Sequence, residues 1–545
     1  MSRPHITRID GSPGAGKTHQ LKNYLKRERD ENGVRIGDFR YITFTNAGRD
    51  DAVTEVMELF DGSREDIETS VRTLHSVALV EAWDAGIVED PGEQIITQQT
   101  ESSKENGLYE SFARRHGMHF QGRDLRDTRE RDGESGTADT LFQLNEWLTL
   151  TRKPAKKARQ APVPLPWSTS RAKKLLDAWD DYKRTARPLR QFEHMDYLDE
   201  AITGYLFPSV DVLFIDEFQD FSPQEYLYYK LWRDSGNLSR VYLAGDPNQS
   251  IYSFRAGTPF YFEETDASED VYLSETYRCR SAIADYARSV LNVGPGADTD
   301  FNAHFDGGTV KRVDGSRDAH MKAALENALT YESGAFMLAR TNSKVWAIRR
   351  WLQSHGYPYH VLGTRQRGPW SERMTQMLNA LRTLQRGSGG VSAEAVHRLM
   401  AHTPQSDLRK QLLDRHGDAY TIESVWKAFT DVNTVGQIVA KLDFESWKRD
   451  ALRAAANRPA GNSPDELAVG TIHAAKGLER PAVLLFNSYN SHIETQYHEN
   501  MDIQKEEHRV AYVGATRASK RLLIVNGFFD GPRMTPLERA TGVVA

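Results

Sequence analysis

Short apolar runs alternate along this chain with longer polar stretches that carry helical periodicity. That alternation predicts layers of helix packed on largely parallel strands, an α/β architecture. The runs His5–Asp10, Tyr41–Thr45, Val210–Asp216, Arg240–Gly245 and Val271–Ser274 predict one sheet. Ala335–Ala339, Leu467–Ile472, Ala482–Phe486 and Leu522–Val525 predict a second. Two polar, helix-patterned intervals interrupt them. The expected partition is a first core over 1–79 and 206–290, interrupted by a helical insertion over 80–205. A second core is expected over 291–364 and 463–545, interrupted by a shorter helical insertion over 365–462.

Composition narrows the classes without choosing among them. The 545 residues allow several domains at roughly 150 residues each. The net charge of −6 excludes a globally basic protein but not a basic groove on one face. The single cysteine, Cys279, cannot form an intrachain disulfide, which fits a reducing, cytoplasmic setting. Met1–Asp10 is short and polar, unlike a signal peptide, and no long apolar run suggests a membrane span. The basic stretch Arg152–Pro166, with Arg152, Lys153, Lys156, Lys157 and Arg159, reads equally as a solvated loop or as a phosphate contact.

The chemistry begins at Gly11-Ser12-Pro13-Gly14-Ala15-Gly16-Lys17-Thr18, between a predicted strand and a helical stretch. This is the phosphate-loop pattern in its required context. Backbone N–H groups around Gly14 and Gly16 can cradle phosphate oxygens at a helix start. Lys17 would reach the β and γ phosphates, and Thr18 would ligate Mg²⁺. Downstream, Val212-Leu213-Phe214-Ile215 ends in Asp216-Glu217. A carboxylate at a strand tip can hold Mg²⁺, and its neighbour can accept a proton from the attacking water. Together the two segments predict hydrolysis of a nucleoside triphosphate.

The acids continue as Asp216-Glu217-Phe218-Gln219-Asp220, followed by Gly245-Asp246-Pro247-Asn248-Gln249-Ser250-Ile251-Tyr252-Ser253-Phe254-Arg255. These resemble motifs II and III of the UvrD/Rep branch of superfamily 1 helicases. Further matches follow in family order. Tyr41–Ala47 is similar to motif Ia, Thr73–Ser76 to motif Ib and Thr276-Tyr277-Arg278 to motif IV. Leu338–Asn342 is similar to the segment opening the second core, Thr471–Glu479 to motif V and Ala511–Ala518 to motif VI. The resemblance implies two RecA-like phosphate-loop NTPase cores with ATP and Mg²⁺ as cofactors. It implies that Gln249 contacts the γ-phosphate, and that Arg278 and Arg517 stabilise its charge. Tyr277 is implied to stack on the base, and Gly477 and Glu479 to touch the nucleotide. Implied DNA contacts are Phe44, Thr45, Asn46, His75, Ser76, Tyr252, Phe254, Arg255, Arg340 and His473.

The chain departs from the family pattern in places. Only ten residues precede Gly11, so a glutamine-bearing adenine-reading segment upstream is not expected. His19 stands where arginine is common and Ala47 where lysine is common. The second insertion is shorter than in the large repair helicases, and no appended nuclease is expected in the short stretch after motif VI. The expected function is an ATP-dependent helicase or translocase moving 3′ to 5′ on single-stranded DNA and its junctions with duplex. A repair, replication or nuclease protein is the implied partner class. The opposite-polarity branch shows a Gln-Leu-Pro-Pro run in motif III, whereas Gln249-Ser250-Ile251-Tyr252 stands here. The alternative from another class is a DNA-stimulated ATPase subunit that senses DNA ends or nucleotide and regulates a partner nuclease.

Overall fold

The computed structural model describes residues 3–44, 46–97, 107–122, 137–163, 165–295, 301–363, 370–403, 419–429, 432–458 and 462–541. Thr45 lies outside them, as do most of the charge-dense stretch at 121–134 and parts of the second insertion. The chain folds into two compact units, one of residues 1–306 and 490–512, the other of 307–489 and 513–545.

The first unit is built on six strands: β1 (His5–Gly11), β2 (Phe39–Thr43), β3 (Val71–Thr73), β4 (Val212–Ile215), β5 (Arg240–Gly245) and β6 (Glu269–Leu273). They lie in the order β3-β2-β4-β5-β1-β6, every pair parallel. All four residues of β4 are buried, the pattern of a central strand covered on both faces. Parallel register brings the strand ends level: Asp10 lies opposite Gly245 and Gly11 opposite Leu273. The phosphate loop, Phe44, Asp216 and the segments after β5 and β6 therefore all leave the same, carboxyl edge of the sheet. Ligands of open α/β sheets bind there.

Helices Leu108–Arg115, Thr137–Leu150, Thr169–Thr185 and His194–Thr203 form the insertion in this unit. Its interior is aromatic, with Tyr109, Phe112, Phe142 and Trp179 in mutual ring contact. Beside them Lys183 is buried between Glu193 and Asp196. Three basic residues of the stretch after Leu150 have partners within the protein, whereas Lys156 and Lys157 are exposed. Arg152 pairs with Asp199, Lys153 sits over the Trp147 ring, and Arg159 donates to the Trp167 carbonyl.

The sequence divides the cores at 290/291 and keeps 490–512 in the second, whereas the compact units part at 306/307 and 490–512 packs with the first. Two contacts account for this. A short strand pair, β7 (Glu275–Thr276) with β8 (Asn302–Ala303), ties the chain back to the first unit. His508 bonds the Val290 carbonyl through Nδ1 and the Tyr497 hydroxyl through Nε2.

In the second unit the main sheet comprises β9 (Thr309–Asp314), β10 (Ala335–Ala339), β11 (His360–Val361), β14 (Leu467–Thr471), β15 (Arg480–Phe486) and β16 (Ala518–Asn526). Their order is β11-β14-β10-β15-β16-β9, again all parallel. The insertion here contributes helices such as Glu372–Arg386 and Ser446–Ala456, and the antiparallel pair β12 (Gly390–Ser392) and β13 (Ala419–Thr421). Its Met377, Leu381, Val439 and Leu452 share one apolar core with Met337, Val469 and Leu484 of the sheet. Two parallel six-stranded sheets are the two RecA-like cores.

Candidate nucleotide and nucleic-acid site

The phosphate loop takes its shape from two glycines in left-handed backbone, Gly14 at φ +74° and Gly16 at φ +88°. At Gly14 a side chain has no room either, since a Cβ would lie 2.4 Å from that of Arg278. Helix Lys17–Asn32 starts directly after Gly16, so its unpaired N–H groups face the loop. Lys17 is buried, and its Nζ donates to the Gly11 and Ser12 carbonyls at 2.7 and 3.4 Å. The Thr18 hydroxyl donates to Asp216 Oδ2 at 2.8 Å, joining the loop to the tip of β4.

Around Lys17 the carboxylates crowd. Burial, then the neighbouring Glu217, raises Asp216 to about 6. Burial, then Asp246, raises Asp10 to about 6, with Lys17 pulling the other way. Burial also raises Asp246. Buried acids held this high lack sufficient countercharge, and a divalent cation would supply it. A hydroxyl and a carboxylate within hydrogen-bond distance also suit Mg²⁺, which takes one or two protein oxygens and completes its octahedron with phosphates and water. Thr18 and Asp216 therefore fit that ion.

Among the described residues Glu217 is one of few besides glycine at positive φ, +59°. Such strain costs about 1–3 kcal/mol and gathers at functional sites. Its Oε2 accepts from Gln219 Nε2 at 2.7 Å. Gln219 Oε1 in turn accepts from the Asp246 N–H at 3.0 Å, and Asp246 Oδ2 accepts from Gln249 Nε2 at 2.8 Å. Ser250 closes the loop by donating to the Gln219 carbonyl. A buried polar chain thus runs from the acid after β4 into the loop after β5.

That loop carries the aromatic residues. Tyr252 stacks on Phe44 at 5.4 Å between centroids and 26° between planes, and Phe254 meets Tyr252 edge-on at 5.8 Å. The Arg255 guanidinium lies over the Phe44 ring. Phe44 and Tyr252 are half-buried and Phe254 buried, so the three form one ledge in which Phe254 supports Tyr252 and Tyr252 stacks on Phe44. Nearby, burial drives His75 down to about 3, with neighbouring His194 and the Arg255 guanidinium adding to the shift. His75 is neutral at working pH, and its 3.6 Å approach to Glu225 is a polar contact rather than an ion pair. Ser76 accepts from Arg72 and, through its N–H, is capped by Thr73.

The segment after β6 is stitched onto the phosphate loop. Buried Thr276 donates to the Pro13 carbonyl at 2.7 Å and accepts from the Arg278 and Cys279 N–H groups. Tyr277 N–H donates to the Gly14 carbonyl at 3.0 Å. Arg278 and Tyr277 consequently flank the loop.

Residues 5–269 match the model of the UvrD/REP helicase N-terminal domain, and residues 434–526 that of the UvrD-like helicase C-terminal domain. The chain belongs to the UvrD/Rep-like helicases of superfamily 1. It is 25% identical over 349 residues to ATP-dependent DNA helicase UvrD2 of Mycobacterium tuberculosis, covering 57% of this chain and 46% of that protein. It is 23% identical over 405 residues to ATP-dependent DNA helicase Rep of Salmonella typhimurium, covering 57% and 59%. UvrD1 of Mycobacterium tuberculosis is 23% identical over 393 residues, covering 65% and 48%. The chain spans about half the length of the curated relatives it matches.

In this UvrD/Rep-like chain the first unit brings together Gly14, Gly16, Lys17, Thr18, Asp216, Glu217, Gln249, Tyr277 and Arg278. It gathers Phe44, Tyr252, Phe254 and Arg255 separately. The second unit holds Arg340, buried, directly after β10, and His473, buried, after β14. Gly477 is left-handed at φ +83° and Glu479 is exposed before β15. Arg517 is fully buried and donates to the Val513 and Leu478 carbonyls and to the Thr516 hydroxyl. Thr45 is outside the described residues, and Asn46 opens helix Asn46–Met57. Sequence reasoning singles out none of Asp10, Gln219, Asp246 or Thr276 as site residues. The signal was present for Gln219 and Asp246, which sit inside motifs II and III. For Thr276 it lay in the motif IV match, and for Asp10 only in its place before the loop.

Proposed function

We propose that this protein is an ATP-dependent DNA helicase or translocase that moves 3′ to 5′ on single-stranded DNA. The observation that carries the reading is the hydrogen-bonded chain Glu217–Gln219–Asp246–Gln249. It connects the acid beside the phosphate loop to the loop that bears Tyr252, Phe254 and Arg255. A change at the phosphate end is thereby transmitted to a surface suited to base stacking, worth roughly 1–3 kcal/mol per base in any sequence.

In this reading Lys17 and the loop N–H groups hold the triphosphate. Mg²⁺ at Thr18 and Asp216 would neutralise phosphate charge. Glu217 orients the attacking water and takes its proton as the new P–O bond forms and the bond to the ADP oxygen breaks. Arg278 and Arg517 stabilise the charge on the transferred group, a role worth on the order of 10³–10⁵ in rate. His75, Ser76, Arg340 and His473 contact the strand, and Gly477 and Glu479 the nucleotide. Relatives named as ATP-dependent DNA helicases support the activity. A second reading is an ATPase that regulates a partner nuclease. It is supported by a 108-residue match, 29% identical, to a protein of Oenococcus oeni named as part of an ATP-dependent helicase/nuclease.

Partial duplexes carrying either a 3′ or a 5′ single-stranded tail test the reading. With ATP and Mg²⁺, the protein alone is expected to displace the strand from the 3′-tailed substrate only. Displacement from the 5′-tailed substrate would overturn the polarity. DNA-stimulated ATP hydrolysis that appears only when a partner nuclease is added would favour the second reading.

A further inference from the structure

Beside the phosphate loop lies a ledge of exposed aromatic side chains. Tyr277 is 55% exposed and Phe305 47% exposed. The His304 ring covers one face of Tyr277 at 4.5 Å between centroids, and Phe305 meets His304 edge-on at 4.7 Å. Exposed rings in contact with one another, next to a built polar site, mark a surface meant for a ligand. The half-exposure of Tyr277 leaves its other face open.

An exposed tyrosine ordinarily samples several rotamers, and ordering it on binding costs affinity. Here the ring is fixed beforehand. Its hydroxyl donates to Glu275 Oε2 at 3.2 Å, and this hydrogen bond pushes the phenol above its usual range. The other carboxylate oxygen, Oε1, lies 3.2 Å from His304 Nδ1. One carboxylate thus clips both rings together. The backbone holds the arrangement at both ends: Glu275 pairs with Asn302 in the β7–β8 ladder, and His304 N–H donates to the Thr276 carbonyl. Thr276 and Tyr277 are themselves bonded to Pro13 and Gly14.

We propose that Glu275 and His304 are positioning residues for the nucleobase: together they lock Tyr277 as a preformed stacking surface at a fixed offset from the phosphate loop. This rests on the reading of that loop as a nucleotide site. Neither residue needs to touch the phosphates, so their effect is confined to ligands that carry a base.

Isothermal titration calorimetry in Mg²⁺ buffer, with adenylyl imidodiphosphate and with inorganic triphosphate, separates the possibilities. Glu275→Ala and, independently, His304→Ala are expected to weaken the nucleotide analogue about 3–10-fold, the loss for one side chain no longer held in place. Inorganic triphosphate is expected to bind all variants alike. Glu275→Gln, whose amide oxygen still accepts from the tyrosine, is expected to stay within about twofold of wild type. Unchanged affinity for the analogue in both alanine variants would overturn the proposal. So would an equal loss for inorganic triphosphate, which would place the effect in the phosphate loop. Failure of the wild-type protein to bind either ligand would instead overturn the nucleotide reading itself.

Discussion

Gly14 shows how little freedom single positions in this site have. Its φ of +74° penalises any L side chain, and a Cβ there would press on Arg278. Gly14→Ala is therefore expected to abolish measurable nucleotide binding while leaving the far-ultraviolet circular dichroism spectrum intact. Retained binding would show that the loop shifts freely. His75 makes a prediction about pH. Burial holds its folded-state value at about 3, far below the unfolded value of about 6.5. Between these values the unfolded chain takes up a proton that the folded one refuses, so stability falls as pH falls through 6.5. The loss from pH 7.5 to 5.5 is about 1 kcal/mol for this one group. Urea denaturation at both pH values should show that His75→Asn loses less stability than wild type by about that amount. Equal losses would mean that the folded protein protonates His75.

At the scale of elements, the insertion in the first unit depends on a buried charge cluster. Glu193 accepts from Tyr109, Asn145, Trp179 and Lys183, and Lys183 also pairs with Asp196. Burial alone would lower Lys183, but the two carboxylates raise it overall. Lys183→Met would leave both acids buried and uncompensated, a loss of about 3–5 kcal/mol. Chemical denaturation of the full chain, followed by the fluorescence of the insertion's tryptophans, is the measurement. A change under about 1 kcal/mol would contradict the role assigned to the cluster. Nothing in the sequence announces this network, because Tyr109, Asn145, the Trp179–Lys183 pair and the Glu193–Asp196 pair lie on different elements that only folding brings together. The strands were more legible. β4 and β10 are uninterrupted apolar runs buried on both faces, so hydropathy alone marks them. β9 gives no hydropathy signal because Lys311, Arg312 and Asp314 are polar and its position is at the sheet edge. β3 is only three residues long.

At the scale of the molecule, sequence legibility followed local chemistry. Lys17, Thr18, Asp216 and Glu217 declare themselves through a loop and a strand tip, each read from consecutive residues. Gln219 does not, since its importance is that one amide bridges Glu217 and the Asp246 backbone across two loops. The same limit applied to 490–512, whose packing with the first unit depends on contacts such as His508 with Val290. The second insertion likewise shares its core with the sheet that carries it, a property no spacing of residues reveals. In the function proposed, nucleotide hydrolysis is tied to a single strand of DNA through the loop after β5. The rate of ATP hydrolysis with and without single-stranded DNA, in the protein alone, tests that link most directly. DNA is expected to raise the rate at least about tenfold, and Lys17→Ala or Glu217→Gln to lower the stimulated rate by about a hundredfold or more. A rate indifferent to DNA, or one that survives both substitutions, would contradict the account.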